Sequence, residues 1–364
     1  MSLWVVVGGQ YGSEGKGKIA AFITCQENID ICVRCGGPNS GHSIDDQTGR
    51  TIVLRQLPTG YLNRRTRLLI PAGALIDPVV LKNEMEALAL PPERIGIDPK
   101  CFVITQADRE TERSLKLRER LSSTLSGVGA AVSRRVLRVD DAELARDIGE
   151  EHPWLEDLIV EHSVSAEVNE ALDHGKRVLI EGTQGFGLSV FHSSFYPHCT
   201  SRDTTAAAFL SEVGVSPRMV TEIVVVFRTF PIRVAGEQAG PLETEITWDQ
   251  IRVESGCPHE IEERTSVTNK VRRVARFEWD SAFEAISVNR PTRLAINGLD
   301  YLSYKNRSVS DASLMTVGAK AFVERLESLS RCNVSYLGTG PRLEDIVTGS
   351  SAPSDMSRSI RMAS

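Results

Sequence analysis

Between Gly9 and Lys18 the chain places four glycines and two lysines directly after an apolar run, Leu3 to Val7. Glycines let successive backbone amides converge on one point, a helix starting there turns the positive end of its dipole toward it, and lysines add full charge. That chemistry suits phosphate oxygens. Counted from Gly12 to Gly17-Lys18 the loop fits GxxxxGK, but Ile19 stands where a standard phosphate loop places the Ser or Thr that holds magnesium. The loop is a relative of that motif, and a kinase or hydrolase of the standard kind is the weaker reading. A second glycine-rich turn, Gly36-Gly37-Pro38-Asn39-Ser40-Gly41-His42-Ser43, follows a second apolar run. A histidine held in a turn titrates near neutrality and can act as a general acid. Both turns would open at the carboxyl edge of a sheet, where α/β proteins bind ligands.

The elements that must hold these turns show in the hydrophobic pattern. Residues 3 to 7, 29 to 34, 51 to 54, 67 to 70, 101 to 104, 178 to 181, 223 to 227 and 293 to 297 read as strands. Helical stretches at 17 to 26, 78 to 88, 163 to 174 and 319 to 329 lie between and after them. The alternation predicts an α/β fold with a mostly parallel central sheet. A charged helix is expected around 107 to 120, followed by the Gly/Ser-rich segment Ser122 to Gly127, loop-like and able to close over a ligand. With no repeat and no long Pro/Gly/Ser linker, one domain is expected over residues 1–348, with a flexible tail over 349–364.

The 42 basic and 48 acidic residues give a net charge of -6, which argues against a general affinity for nucleic acid. Any anion site is therefore local. No run of 18 or more apolar residues appears and the chain opens on a strand-like segment, so a cytoplasmic protein with no membrane contact is expected. The seven cysteines suggest reduced thiols, and the Cys32/Cys35 pair, without a second Cys or His pair at zinc spacing, reads as part of a strand.

Several motifs in order make the chain resemble the adenylosuccinate synthetases: Gly8 to Lys18, Gly36 to Ser43, Arg55-Gln56-Leu57-Pro58-Thr59-Gly60, Glu181-Gly182-Thr183-Gln184-Gly185, Tyr196-Pro197 with Thr200-Ser201, Val224 to Val234, Leu299-Asp300 and Gly338-Thr339-Gly340-Pro341. The resemblance covers nearly the whole length. It implies a ligase that joins L-aspartate to C6 of a purine nucleotide after a triphosphate has phosphorylated the 6-oxygen, with Mg2+ as cofactor. By position, Ser13, His42 and Gln184 would be the catalytic set, His42 as general acid at O6 and the γ-phosphate and Gln184 positioning the base. Ser13 and the Gly41 carbonyl would be the magnesium ligands. The triphosphate would be held by Gly12, Ser13, Glu14, Gly15, Lys16, Gly17, Lys18, Gly41, His42, Ser43, Arg272, Gly298, Leu299, Asp300, Gly338, Thr339 and Gly340. The monophosphate would meet Ser13, Asn39, Ser123, Thr124, Arg138, Gln184, Thr200 and Lys270, with Arg138 reaching across a homodimer interface. Ser266, Val267, Thr268, Asn269, Lys270 and Arg272 would close over aspartate.

Three departures bear on the substrate. Ser13 stands where the family has an aspartate that acts as base on inosinate, and a hydroxyl is far too weak a base to replace it. A serine leaves room for a 2-amino group, as in the phage branch of the family, the succinoaminodeoxyadenylate synthetases, which act on dGMP. The proton acceptor would then be the substrate's phosphate, water, or a group acting after phosphoryl transfer has begun. Asn269-Lys270 replaces Gly-Arg, keeping charge without the planar fork and suiting a 2'-deoxy substrate. Gly298 replaces a lysine that covers a guanine donor, although Asp300 could still read guanine; ATP or dATP is expected ahead of GTP. The expected reaction is thus condensation of dGMP with L-aspartate, the alternatives being the ordinary IMP and GTP reaction or a non-catalytic nucleotide sensor.

Overall fold

The computed structural model describes residues 2–45, 51–140, 142–265 and 269–349. The expected tail beyond Gly349, and Ser266, Val267 and Thr268 of the expected aspartate loop, lie outside the described residues. Nine strands form the main sheet: β1 (Ser2–Gly8), β2 (Ile31–Arg34), β3 (Arg67–Ile70), β4 (Ile95–Ile97), β5 (Arg177–Glu181), β6 (Val220–Arg228), β7 (Arg293–Asn297), β8 (Val334–Gly338) and β9 (Ile346–Thr348). Their order is β9-β8-β7-β6-β1-β5-β2-β3-β4. Every pairing is parallel except that of β9 with β8, so the expected α/β fold with a mostly parallel sheet is present.

β1 is central and buried on both faces, which is why it reads as an unbroken apolar run. Leu3, Val5 and Val7 join the cluster on one face, with Phe209, Ala285 and Leu326 from the helices Ala206–Val213, Trp279–Asn289 and Val317–Ser330. Trp4 and Val6 join the cluster on the other, with Ile19, Ala20 and Ile23 of helix α1 (Lys16–Gln26). The strand period of two divides β1 between these two layers.

The strands that feed the two glycine-rich turns are successive in the chain but not adjacent: β5 lies between β1 and β2 and pairs with both. Two expectations on local structure change. The segment Thr51–Leu54 is a strand, but it pairs antiparallel with His42–Asp45 in a hairpin outside the main sheet. The charged segment after residue 106 is two helices, Gln106–Ser114 and Leu117–Leu121, broken at Lys116, whose φ of 51° a continuous helix cannot hold. No helix among the described residues is long and apolar enough to cross a membrane.

Candidate active site

The segments that follow β1, β2, β5, β6, β7 and β8 meet at the carboxyl edge of the sheet around a cleft of about 850 Å³. The phosphate loop is held from inside. The buried Glu14 carboxylate accepts the Gln10 and Gly12 amides on one oxygen, at 3.0 and 2.9 Å, and the Lys16 ammonium on the other at 2.6 Å. Asn297 at the end of β7 donates its side-chain amide to the Glu14 carbonyl at 2.7 Å, tying the loop to a strand on the far side of β6. Gly15 precedes α1 with φ 87° and no side-chain cap, which leaves the first-turn amides for an anion. At Gly17 a Cβ would lie 2.6 Å from that of His42, so the two turns approach each other only because residue 17 is glycine.

Ser13 and Gln184 both line the cleft and both hold left-handed backbone, at φ 57° and 58°. Non-glycine residues are uncommon there and concentrate at functional sites. The Ser13 carbonyl accepts from Arg228 at 3.0 Å, which fixes where its hydroxyl can go. Lys18 is buried and donates to the Gly340 carbonyl at 2.7 Å; burial pushes its ammonium down to about 8, with Asp300 and Asp345 pulling the other way. Asp300 is buried and bonded by Arg307 at 2.8 Å, and burial raises its carboxyl against the opposing pull of Arg307 and Lys18.

His42 lies against Glu181, with Nδ1 2.5 Å from the carboxylate, and Arg34 donates to the same oxygen at 2.6 Å. Burial and the charge of Arg34 lower the imidazole to about 3 despite the pull of Glu181, so the ring is neutral at ordinary pH. Burial would raise Glu181 itself, but Arg34 and the bonds from His42 and Thr59 hold its carboxyl below the usual range.

Of the remaining predicted residues, Asn39, Gly41, Ser43, Ser123, Thr124, Lys270, Arg272, Gly298 and Gly340 also line the cleft. Leu299, Gly338 and Thr339 are buried beneath it, the Thr339 hydroxyl lying 3.0 Å from the carbonyls of Val309 and Asp345. Thr200 is outside the lining, its amide bonded to the Leu188 carbonyl. Arg138 is exposed at the end of the helix Val128–Leu137 and does not line this chain's own cleft. Asn269 occupies φ 51°, a conformation asparagine tolerates better than most residues, so the missing family glycine costs little at that turn. Sequence reading missed Arg228, Glu263 and Tyr301. Arg228 ends β6 and pairs with Glu263 at 2.6 Å, and the Tyr301 hydroxyl bonds the same carboxylate at 2.9 Å. An arginine closing a run of buried apolar residues, Val224 to Phe227, was the available signal.

Ser13 and Gly41 both line the cleft, and a serine hydroxyl and a backbone carbonyl are oxygen donors of the kind magnesium, a hard cation held mainly by substrate phosphates and water, would take. Among the described residues there is no group of three or more His, Cys, Asp or Glu that would form a protein-only cage.

The adenylosuccinate synthetase family model matches residues 5–148 and 139–310. An adenylosuccinate synthetase of Thermococcus onnurineus is 41% identical over 355 residues, covering 95% of this chain and 98% of the relative. One from Methanocaldococcus jannaschii is 38% identical over 347 residues, covering 94% and 95%. Among solved structures, the succinoaminodeoxyadenylate synthetase of cyanophage S-2L bound to dGMP and dATP superposes with a TM-score of 0.81 at 26% identity, covering 96% of each chain. A fully ligated adenylosuccinate synthetase from Plasmodium falciparum gives 0.80 at 19% identity, covering 96% of this chain and all of the other, a likeness of fold alone.

These findings overturn the expectation of dGMP as substrate with ATP or dATP as donor. Full-length similarity is greater to archaeal proteins named adenylosuccinate synthetase than to the phage enzyme. The expectation rested on Ser13, Lys270 and Gly298, while the phosphate loop, His42 and Arg272 would serve either reaction. A smaller residue at 13 creates room without requiring that a 2-amino group fill it. Adenylosuccinate synthetases are carbon–nitrogen ligases that use magnesium and a nucleoside triphosphate, and this chain belongs to their family.

Proposed function

We propose that the chain condenses inosinate with L-aspartate at the expense of GTP. The observation that carries this reading is the near-full-length identity of 41% to a protein named adenylosuccinate synthetase, joined to a cleft lined by the phosphate loop, His42, Gln184 and Arg272. The first-turn amides, Lys16 and Lys18 hold the triphosphate, and the carboxyl oxygens of Asp300 can accept from the N–H groups on a guanine edge. Gln184 orients the hypoxanthine, and Asn39, Ser123 and Thr124 lie where its 5'-phosphate is held, with Arg138 and Thr200 as further contacts, Arg138 from a second protomer. Arg272 and Lys270 face the aspartate carboxylates. Ser13 and the Gly41 carbonyl would hold magnesium together with the substrate phosphates, and the ion would supply positive charge against the transferred group.

In this scheme O6 attacks the γ-phosphorus, the bond to the β-γ bridging oxygen breaks, and the aspartate amine then displaces phosphate from C6. Ser13 cannot hold the N1 proton as a carboxylate would. Its hydroxyl can accept the N1–H while giving its own proton to a phosphate oxygen, so that the proton leaves through a relay. Purified protein supplied with IMP, GTP, L-aspartate and magnesium should release GDP only when aspartate is present. Preference for another purine monophosphate would overturn the substrate, and tight triphosphate binding without aspartate-dependent release would leave a sensor.

A further inference from the structure

We infer that Arg307 is a positioning residue for Asp300: it holds the carboxyl oxygens for the base of the triphosphate and makes the site choose guanine over adenine. The inference rests on the guanine contact given to Asp300 above. Asp300 is the second residue of the short helix Leu299–Leu302 and is buried, yet it lines the cleft, as does Arg307. Arg307 Nη1 donates to Asp300 Oδ2 at 2.8 Å, and among the described residues no other side chain bonds that carboxyl. The arginine is itself anchored on both sides. Asn306, fully buried, donates to the Leu299 carbonyl at 2.9 Å and accepts the Thr316 amide at 2.8 Å, while the Ser308 amide donates to the Thr339 carbonyl at 3.0 Å. Residue 307 is thus fixed between the turn that carries Asp300 and the turn that carries Gly340, both of which reach the cleft. A guanidinium only donates, so Oδ2 is held as an acceptor, and its charge opposes the burial that favours a proton on the carboxyl. Each carboxylate oxygen has two acceptor positions, so the bond from Arg307 leaves acceptors free on both. Guanine offers N1–H and its 2-amino group to them. Adenine sets N1, an acceptor, against the same oxygens, a repulsion that a mobile or protonated carboxyl would relieve.

Arg307→Leu tests this, and because the Arg307 side chain is 39% exposed its loss opens no cavity in the core. Titration calorimetry of GDP and of ADP, each with magnesium, needs no turnover. The native chain should bind GDP at least about tenfold more tightly than ADP, the size of one charge-assisted hydrogen bond, and Arg307→Leu should erase most of that ratio by weakening GDP. Arg307→Lys keeps a donor and a charge without the fork and should recover part of it. Added to Asp300→Ala, Arg307→Leu should leave the ratio where Asp300→Ala put it, since its effect passes through the carboxyl. KM for IMP and for aspartate should shift by less than about threefold in Arg307→Leu. Equal losses of GDP and ADP binding in Arg307→Leu would overturn the inference, being the mark of a charge that holds the phosphates or the fold. So would a ratio that stays native in that variant. A native chain with no preference for GDP would overturn the guanine reading itself, and the inference with it. The native ratio thus tests that reading and the change in the ratio tests the inference, so the two failures are told apart.

Discussion

At the scale of single residues, the cleft is built from charges whose partners are already fixed, and two side chains carry distinct expectations. Ser13→Asp restores a carboxylate on a backbone that already holds the left-handed conformation aspartate tolerates, and should raise the turnover number on IMP by at least about tenfold. Ser13→Ala removes the relay and should lower it by about the same factor; steady-state kinetics with saturating GTP and aspartate read both. Unchanged turnover in Ser13→Ala would remove the hydroxyl from the proton path. Lys18 gives a pH signature. Its ammonium is lowered by burial from 10.5 to about 8, so it is charged below that value and neutral above. A phosphate binds the charged form better. KM for the triphosphate should therefore rise as pH climbs from about 8 toward 10.5, and Lys18→Arg, which stays charged, should flatten that rise.

At the scale of elements, the turn proposed to close over aspartate is pinned at its base by the end of β6. Arg228 is buried and its two terminal nitrogens bond the Glu263 carboxylate at 3.2 and 2.6 Å, while Arg272 N–H donates to the Glu263 carbonyl at 2.8 Å and Thr265 and Lys270 bond each other across the turn. Glu263→Ala leaves a buried guanidinium without its carboxylate, a loss of about 3 kcal/mol read by urea denaturation, and should raise KM for aspartate more than for IMP. Arg228→Met with Glu263→Ala together should recover much of the stability but not the KM, because the charge is gone while the turn stays unpinned. The phosphate loop and the acid turn were legible in sequence because each is a contiguous run with a stated chemistry, and strands such as Arg293–Asn297 because they are uninterrupted apolar runs. The pin was not, since Arg228 and Glu263 lie 35 positions apart and each alone reads as a solvated charge. Nor was the insertion of β5 between β1 and β2, because register between distant parallel strands leaves no period in the chain. Short strands were missed for local reasons: β4 is three residues with Gly96 at its centre, and β8 is interrupted by Ser335.

At the scale of the whole molecule, a chain of net charge -6 keeps an anion site by drawing positive groups from several segments into one cleft: Lys16 and Lys18 after β1, Arg228 at the end of β6, Arg272 beyond it. One basic residue assigned to the monophosphate does not come to that cleft from its own chain. Arg138 is exposed at the end of the helix Val128–Leu137, and the two residues before it, Val136 and Leu137, are 71% and 69% exposed. Large apolar side chains left in water beside a charge intended for a nucleotide make sense if a second copy covers them and receives the arginine. Sedimentation velocity should then show a dimer, and Val136→Asp should shift it toward monomer. The same variant should raise KM for IMP at least about tenfold, because the loss of one charge-assisted phosphate contact costs roughly 1.5 kcal/mol or more. Arg138→Leu should reproduce the KM effect while leaving the dimer intact, which separates the surface from the charge it carries. A native chain that remains monomeric at working concentration with an unchanged KM in Arg138→Leu would leave the monophosphate to Asn39, Ser123, Thr124 and Thr200 of one chain alone.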